Sequence, residues 1–167
     1  EEADFQIGCG SVAYVFFDKS DTSKVIKKII PNITDKINKS AEKFNQILNI
    51  STYIADFSFD KDDVNDYKKL LIDQTNLIQE KNNLERMQIM FQDFEDIKIP
   101  QVFESNKEMI KMEYCEGIKL FEFIEKYPEK KEYCKSILLF CFKVMINNKF
   151  FHGDLHEGNL LFSLDKK

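Results

Sequence analysis

A short polar segment in the last part of the sequence constrains the fold more than any other stretch. Residues 152–159 read His-Gly-Asp-Leu-His-Glu-Gly-Asn, and apolar residues flank them at positions 150–151 and 160–162. A polar loop between two buried ends is a common place for catalytic groups, because the scaffold fixes the ends and leaves the polar side chains accessible. The segment therefore predicts a site and not a simple connection.

The spacing within this loop is specific. His152, Asp154 and Asn159 follow the pattern His-x-Asp-Leu-x-x-x-Asn of kinase catalytic loops, without insertion or gap. In such loops the Asp accepts the proton of the acceptor hydroxyl, and the Asn ligates Mg²⁺. Two alternatives stay open at this point. His152 and His156 are four positions apart and could bind a metal on a helix, although two nearby glycines disfavour a continuous helix. The loop could also be purely structural.

The composition fits one compact domain or part of one. A chain of 167 residues with 43% hydrophobic and 13% aromatic residues is not disordered. The net charge of −5 leaves no broad basic surface, so we expect no nucleic-acid partner. No apolar run is long enough to span a bilayer, and the first residues do not read as a signal peptide. The four cysteines contain no C-x-x-C pair, so we expect reduced thiols in an intracellular protein.

A glycine turn near the start of the chain is a candidate phosphate-binding loop. Gly8, Gly10 and Ser11 lie between two strand-like pieces, the second of which covers residues 12–17. Glycines let the backbone approach a phosphate and point N–H groups at it. An ordinary hairpin turn is the alternative.

The next predicted strand supplies a candidate phosphate-binding lysine. Val25-Ile26-Lys27 has the form of the kinase strand that presents a lysine to the α- and β-phosphates. Strand alternation places Lys27 and Lys28 on opposite faces and leaves open which of them faces a phosphate.

Helical periodicity over residues 64–94 predicts a long helix with a bend. Glu80 and Asn83 interrupt its apolar stripe on the same side. A carboxylate on the inner edge of a helix needs a cation, and Lys27 is the candidate. An exposed acid on a charged helix is the alternative.

Two further helices are predicted from apolar periodicity. One covers residues 41–54 and belongs to an insert that we expect to pack on the small lobe without a chemical role. The other covers residues 132–149, and its aromatic and methionine side chains are expected to face the core.

A hairpin over residues 101–114, an extended link at 115–117 and a helix at 120–126 have the layout of a kinase hinge. Backbone groups around Glu113 and Cys115 are then predicted to bind adenine. An edge hairpin followed by a glycine turn is the alternative.

With these pieces in order, the sequence resembles the AarF/UbiB family of atypical kinases. The segments that carry the resemblance span nearly the whole chain: 10–16, 25–27 with Pro31, 80–83, 99–103, 112–117 and 152–162. The loop departs from the common H-A-D-P-H-P-G-N at Gly153, Leu155 and Glu157. It is also similar to the loops of choline kinases and aminoglycoside phosphotransferases.

The resemblance implies an α+β, protein-kinase-like fold. Residues 1–114 are expected to form a small lobe of antiparallel sheet and helices with a helical insert. Residues 115–167 are expected to form the hinge and the first, incomplete part of a helical large lobe. The resemblance also implies ATP and Mg²⁺ as ligands, and a small-molecule, lipid or protein acceptor that the sequence does not identify. It further implies membrane association in bacteria, mitochondria or plastids.

The predicted site combines the motifs and the resemblance. Asp154, Lys27 and Glu80 are the expected catalytic residues, and Asn159 is the expected Mg²⁺ ligand. The family's K-x-G-Q and D-F-G segments do not occur in the sequence, so we expect a truncated kinase domain with little turnover. A non-catalytic nucleotide-binding pseudokinase and a small-molecule kinase of the choline or aminoglycoside type are the alternative functions.

Overall fold

The computed structural model of the chain describes residues 6–51, 61–152 and 155–164. Within these residues the fold combines a five-stranded sheet, a two-stranded sheet and five helices, which confirms the predicted α+β class. The strands are β1 (Gln6–Cys9), β2 (Ala13–Asp18), β3 (Asp21–Ile29), β4 (Val102–Ser105), β5 (Met109–Glu113), β6 (Ile118–Lys119) and β7 (Leu161–Phe162). The helices are α1 (Ile33–Ser51), α2 (Lys61–Asp73), α3 (Leu77–Phe91), α4 (Leu120–Lys126) and α5 (Lys131–Asn147), and 3-10 turns lie at Pro128–Lys130 and Glu157–Asn159.

The chain divides into two compact units. The first comprises Glu1–Lys81 and Val102–Met112, and the second comprises Asn82–Gln101 and Glu113–Lys167. The predicted division into a small lobe up to residue 114 and part of a large lobe stays a prediction.

The five-stranded sheet has the strand order β1-β2-β3-β5-β4, and the pairs β1–β2, β2–β3 and β4–β5 are antiparallel. Val15 on β2 lies opposite Lys27 on β3 and opposite Gly8 on β1, while Tyr14 lies opposite Lys28. Directly opposite residues project to the same face of a sheet, so this register decides which lysine shares a face with the glycine turn.

The core of the first unit joins the sheet to α1 and α2. Val12, Ala13, Ile33 and Ile37 are buried together, and residues of α2 pack against them. Helix α1, which belongs to the predicted insert, thus packs against Val12 and Ala13, and the assignment of the insert to a small lobe stays a prediction. The helix begins at Ile33, eight residues before the predicted start, and residues 52–60 lie outside the described part of the chain.

The predicted bend in the long helical segment is a complete break between α2 and α3. The Thr75 hydroxyl donates to the C=O of Ile72 at 2.7 Å, and the Asn76 side-chain oxygen accepts from the N–H of Gln79 at 3.0 Å. Asn is a favoured N-cap because its side-chain oxygen satisfies an N–H that the first turn leaves unpaired. The cap therefore starts α3 as a separate helix, three residues before Glu80.

The second unit has its own core between α3 and α5. Met87, Phe91, Met145 and Phe150 are buried together. The predicted helix at 132–149 is confirmed as α5, with its bounds moved by one or two residues.

The small sheet of the second unit pairs β6 with β7, with Ile118 opposite Phe162. A Cβ on Gly117 would lie 2.9 Å from the Leu161 Cβ, so this position requires glycine for the two strands to approach.

Among the described helices, none is long and apolar enough to cross a membrane. The four cysteines are free thiols.

Candidate functional site

Lys27 and Glu80 are in direct contact within the first unit. The Lys27 Nζ donates to both carboxylate oxygens of Glu80, at 2.9 and 2.7 Å. The side chains are 25% and 28% exposed, so the pair is partly shielded from water and still accessible. Although 53 residues separate the partners in sequence, the strand and the helix that carry them bring the two charges together, as the sequence analysis expected.

The register of β3 distinguishes the two neighbouring lysines. Lys27 shares its face with Val15, whereas Lys28 lies on the opposite face, with its Nζ 5.8 Å from the centre of the Phe16 ring. Beyond Val15 the next strand has Gly8 at the opposing position, where no side chain stands on this face. Lys27 is therefore the lysine that contacts Glu80, and it lies on the same face of the sheet as Val15 and the Gly8 position.

The glycine turn is anchored at both ends. The N–H of Gly10 donates to the C=O of Ala13 at 2.8 Å, which closes the β1–β2 hairpin. The C=O of Val12 accepts from the N–H of Ile30 at 2.9 Å, and the Val12 side chain is buried. Ser11 is exposed at the tip. The turn is thus a fixed hairpin whose Gly10 amide is already used.

The predicted hinge belongs to the second unit. The Glu113 carboxylate contacts the Lys98 Nζ at 2.5 Å, and its backbone N–H donates to the C=O of Gln101 at 2.8 Å. The hydrogen bond that Lys98 donates to the Glu113 carboxylate raises the pKa of Lys98. Residues 114–117 form neither helix nor strand, and burial raises the pKa of the Cys115 thiol within this link. The predicted layout of strand, extended link and helix is present.

The polar loop is described on both sides of residues 153–154. Asp154, the predicted catalytic carboxylate, lies outside the described residues. Asn159 is exposed in the 3-10 turn, and its N–H donates to the C=O of His156 at 3.0 Å. The His156 Nδ1 accepts from the N–H of Gly158 at 3.0 Å, so this nitrogen caps the turn.

The donor chemistry of the loop suits a hard cation better than zinc. Magnesium prefers oxygen ligands, which the Asn159 amide and the Asp154 carboxylate supply by residue type. Across the described residues, no group of three or more His, Cys, Asp or Glu side chains could hold a metal ion. The histidine-pair alternative therefore has no support in the described part of the loop.

The chain matches a protein-family model over nearly its whole length. The ABC1 atypical kinase-like domain matches residues 4–167. The chain belongs to this family. The resemblance to AarF/UbiB atypical kinases is thereby confirmed.

Curated relatives of the ABC1 domain are similar over different stretches. "Probable protein kinase UbiB" of Photobacterium profundum is 26% identical over 107 residues, covering 61% of this chain and 20% of that protein. The "Uncharacterized protein in hydrogenase 1 5'region" of Clostridium pasteurianum is 28% identical over 166 residues, covering 93% of this chain and 31% of that protein. The chain thus spans a third or less of the length of these relatives.

A solved structure shares the fold. The complex of Rv3197 with erythromycin from Mycobacterium tuberculosis superimposes with a TM-score of 0.53 and 14% identity, over 73% of this chain and 32% of that one. With the family match, this likeness confirms the kinase-like fold of the ABC1 domain.

Two contacts escaped the sequence analysis. Asp18 at the end of β2 pairs with Lys111 on β5 at 2.6 Å. Arg86 on α3 donates to the C=O of Asn148 at 2.7 Å, just before the polar loop. Neither lies in a recognised motif. The Arg86 contact had one available signal, because the sequence uses arginine only at this position.

Proposed function

We propose that this domain binds ATP through Lys27 and that it serves a phosphotransferase or ATPase activity in the full-length protein. The observation that carries the proposal is the contact of Lys27 Nζ with both oxygens of Glu80, at 2.9 and 2.7 Å. A carboxylate that holds a lysine from a neighbouring helix pre-positions the ammonium group for a phosphate. The partial exposure of both side chains supports access by a ligand.

The proposed chemistry divides the roles among four residues. Lys27 binds the α- and β-phosphates, and Glu80 orients Lys27. The acceptor oxygen loses its proton to the Asp154 carboxylate and forms a bond to the terminal phosphorus. At the same time the bond from that phosphorus to the bridging oxygen of ADP breaks. Asn159 would hold Mg²⁺, which when bound neutralises charge on the phosphates.

The remaining contacts of the nucleotide are proposed from the hinge and the glycine turn. Backbone groups around Glu113 and Cys115 would bind adenine, and the Lys98–Glu113 pair would hold this link in place. Gly8, Gly10 and Ser11 would cover the phosphates. The Gly10 N–H already closes the hairpin, so we assign the phosphate contact in this turn to the exposed residue Ser11. Because Gly8 has no side chain, it would leave room for the phosphate.

The test compares two neighbouring lysines in the binding of MgATP. Lys27→Ala removes the ammonium group beside Glu80 and is expected to raise the Kd by roughly tenfold or more, since a charged hydrogen bond is lost. Lys28→Ala is the matched control, because Lys28 lies one residue away on the opposite face of the sheet. Its Kd should stay within about twofold of the unchanged chain. Isothermal titration calorimetry and a thermal shift with MgATP measure both.

Three results would be informative. Absence of MgATP binding to the unchanged chain contradicts the proposal. Equal weakening by the two substitutions contradicts the assignment to Lys27. Binding without phosphate release from the full-length protein would leave the nucleotide site intact and favour the non-catalytic alternative over the enzyme.

A further inference from the structure

Arg86 makes contacts that no lysine could reproduce in the same way. Its Nη2 donates to the C=O of Asn148 at 2.7 Å and to the C=O of Lys149 at 3.4 Å. Its guanidinium carbon lies 5.1 Å from the centre of the Phe150 ring. One planar cation thus contacts three successive residues after α5, and a guanidinium can stack and donate at once whereas an ammonium group is a point charge. Of the 24 lysine and arginine residues, only this one is arginine.

The residues that Arg86 contacts form a strained helix end. Lys149 has φ 49°, in the left-handed region where glycine is the usual residue. Its N–H donates to the C=O of Ile146 at 3.0 Å, and the N–H of Phe150 donates to the C=O of Met145 at 2.9 Å. These two hydrogen bonds define a Schellman motif, which normally has glycine at this position. The helix end therefore needs a further favourable contact, and a cation at a helix C-terminus is stabilising.

This helix end leads directly into the polar loop. Phe150 is buried against Met87 and Met145, and Leu155 packs against the same cluster. The polar loop is therefore anchored at Phe150 on one side and at Leu155 on the other. The direction in which the chain leaves α5 sets where this loop begins.

We propose that Arg86 is a positioning residue for the polar loop after α5, which leads to Asn159. It acts by holding the strained turn at Lys149, and it does not contact the nucleotide. The inference predicts that Arg86 controls the Mg²⁺-dependent part of nucleotide affinity. This consequence rests on the proposed function. Lys27 and the hinge would supply the part that does not depend on Mg²⁺.

The test uses three substitutions in the full chain. Arg86→Met removes the charge and the donors and keeps an apolar stem over Phe150. Arg86→Lys keeps the charge and removes the planar group. Lys149→Gly removes the strain of the left-handed residue, because glycine adopts positive φ without cost. In the double variant with Arg86→Met, the turn should no longer need the contacts of Arg86.

The first readout is the affinity for ADP with and without Mg²⁺, measured by calorimetry. Arg86→Met is expected to raise the Kd for MgADP on the order of tenfold and to leave the Kd for metal-free ADP within about twofold. The Kd of Arg86→Lys for MgADP should lie between those of the unchanged chain and Arg86→Met. The double variant Arg86→Met with Lys149→Gly should recover most of the affinity for MgADP that Arg86→Met loses. An equal loss with and without Mg²⁺, or a double variant that recovers nothing, overturns the proposal.

The second readout does not require nucleotide. Hydrogen exchange at the Phe150 amide, whose partner is the C=O of Met145, should be roughly tenfold faster in Arg86→Met and close to the original rate in the double variant. The amide of buried Cys134, early in α5, is the internal reference and should not change. Unchanged exchange at Phe150 overturns the positioning role. If the unchanged chain does not bind ADP, the proposed function fails, and this readout still decides whether Arg86 holds the turn.

Discussion

Two lysine–carboxylate pairs in the first unit differ in what surrounds them. In the pair Lys111–Asp18 the Asp18 side chain is 8% exposed, and Ser20 donates to its other oxygen through both its N–H and its hydroxyl, at 2.9 and 2.8 Å. In the pair Lys27–Glu80 both side chains are about a quarter exposed, at 25% and 28%.

The difference separates a structural ion pair from a binding group. A carboxylate that has several partners and little contact with water is committed to the fold, because removing one partner leaves a poorly solvated charge. An accessible pair loses less on separation and can exchange part of its contact for a ligand phosphate. We therefore expect the Lys111–Asp18 pair to control stability and the Lys27–Glu80 pair to control ligand affinity.

The largest expected effect is on stability, from Asp18→Asn. The substitution leaves Lys111 without its carboxylate, and we expect the Tm to fall on the order of 10 °C. Differential scanning calorimetry measures this change. Asp21→Asn is the matched control in the same turn: Asp21 also accepts from a serine and pairs with Lys24 at 2.8 Å, but this pair is exposed. Its Tm should change by less than about 2 °C, and equal losses for the two variants would contradict the distinction.

The next effect is on ligand affinity, from Glu80→Gln. Glutamine keeps the shape of the side chain and removes the charge that orients Lys27, so the Kd for MgATP should rise about fivefold. The Tm should fall by no more than about 3 °C, because the pair is accessible to water. Titration calorimetry and a thermal melt on the same sample measure both. A large loss of Tm together with an unchanged Kd would assign this pair to the fold instead.

The smallest expected effect is the pH dependence of the stability that Asp18 contributes. The hydrogen bond from Lys111, with those from Ser20, holds the pKa of Asp18 far below its usual value of 3.8. A lowered pKa in the folded state adds stability that is fully present above the usual value and is lost as the pH falls through the lowered one. The difference in the free energy of unfolding between the unchanged chain and Asp18→Asn, measured by urea denaturation, should therefore become smaller as the pH falls from about 5 to about 3. A difference that stays constant or widens as the pH falls would contradict a lowered pKa of Asp18 in the folded protein.

The sequence predicted the Lys27–Glu80 contact because each partner lies in a segment with a recognisable pattern. Strand alternation and a helix stripe each restrict a side chain to one face, but they left open the choice between Lys27 and Lys28 and whether Glu80 is simply an exposed acid. The contact of Lys27 Nζ with Glu80 answers both points, and it depends on a strand register that a single strand does not encode.

The Lys111–Asp18 pair and the Arg86 contact could not be predicted in the same way. Asp18 reads as an ordinary turn residue, since Asp followed two positions later by Ser is typical of turns. Its pairing with Lys111 depends on the strand order of the sheet, which brings together segments 93 residues apart in sequence. Arg86 reads as a surface residue of α3, and its role depends on the unusual backbone at Lys149. The break before α3 did have a local signal, the Thr75-Asn76 cap, which the long apolar stripe obscured.

The β2–β3 turn has a consequence for the evolution of this domain. Lys27 lies opposite Val15 because a fixed number of residues separates the two strands. Deleting or inserting one residue in this turn, if the strands kept their contact, would exchange the two faces of β3 and present Lys28 to Glu80. Length variation in a surface loop is usually tolerated, yet here it would replace the lysine that we propose binds phosphate. We expect related domains to vary the composition of this turn more readily than its length.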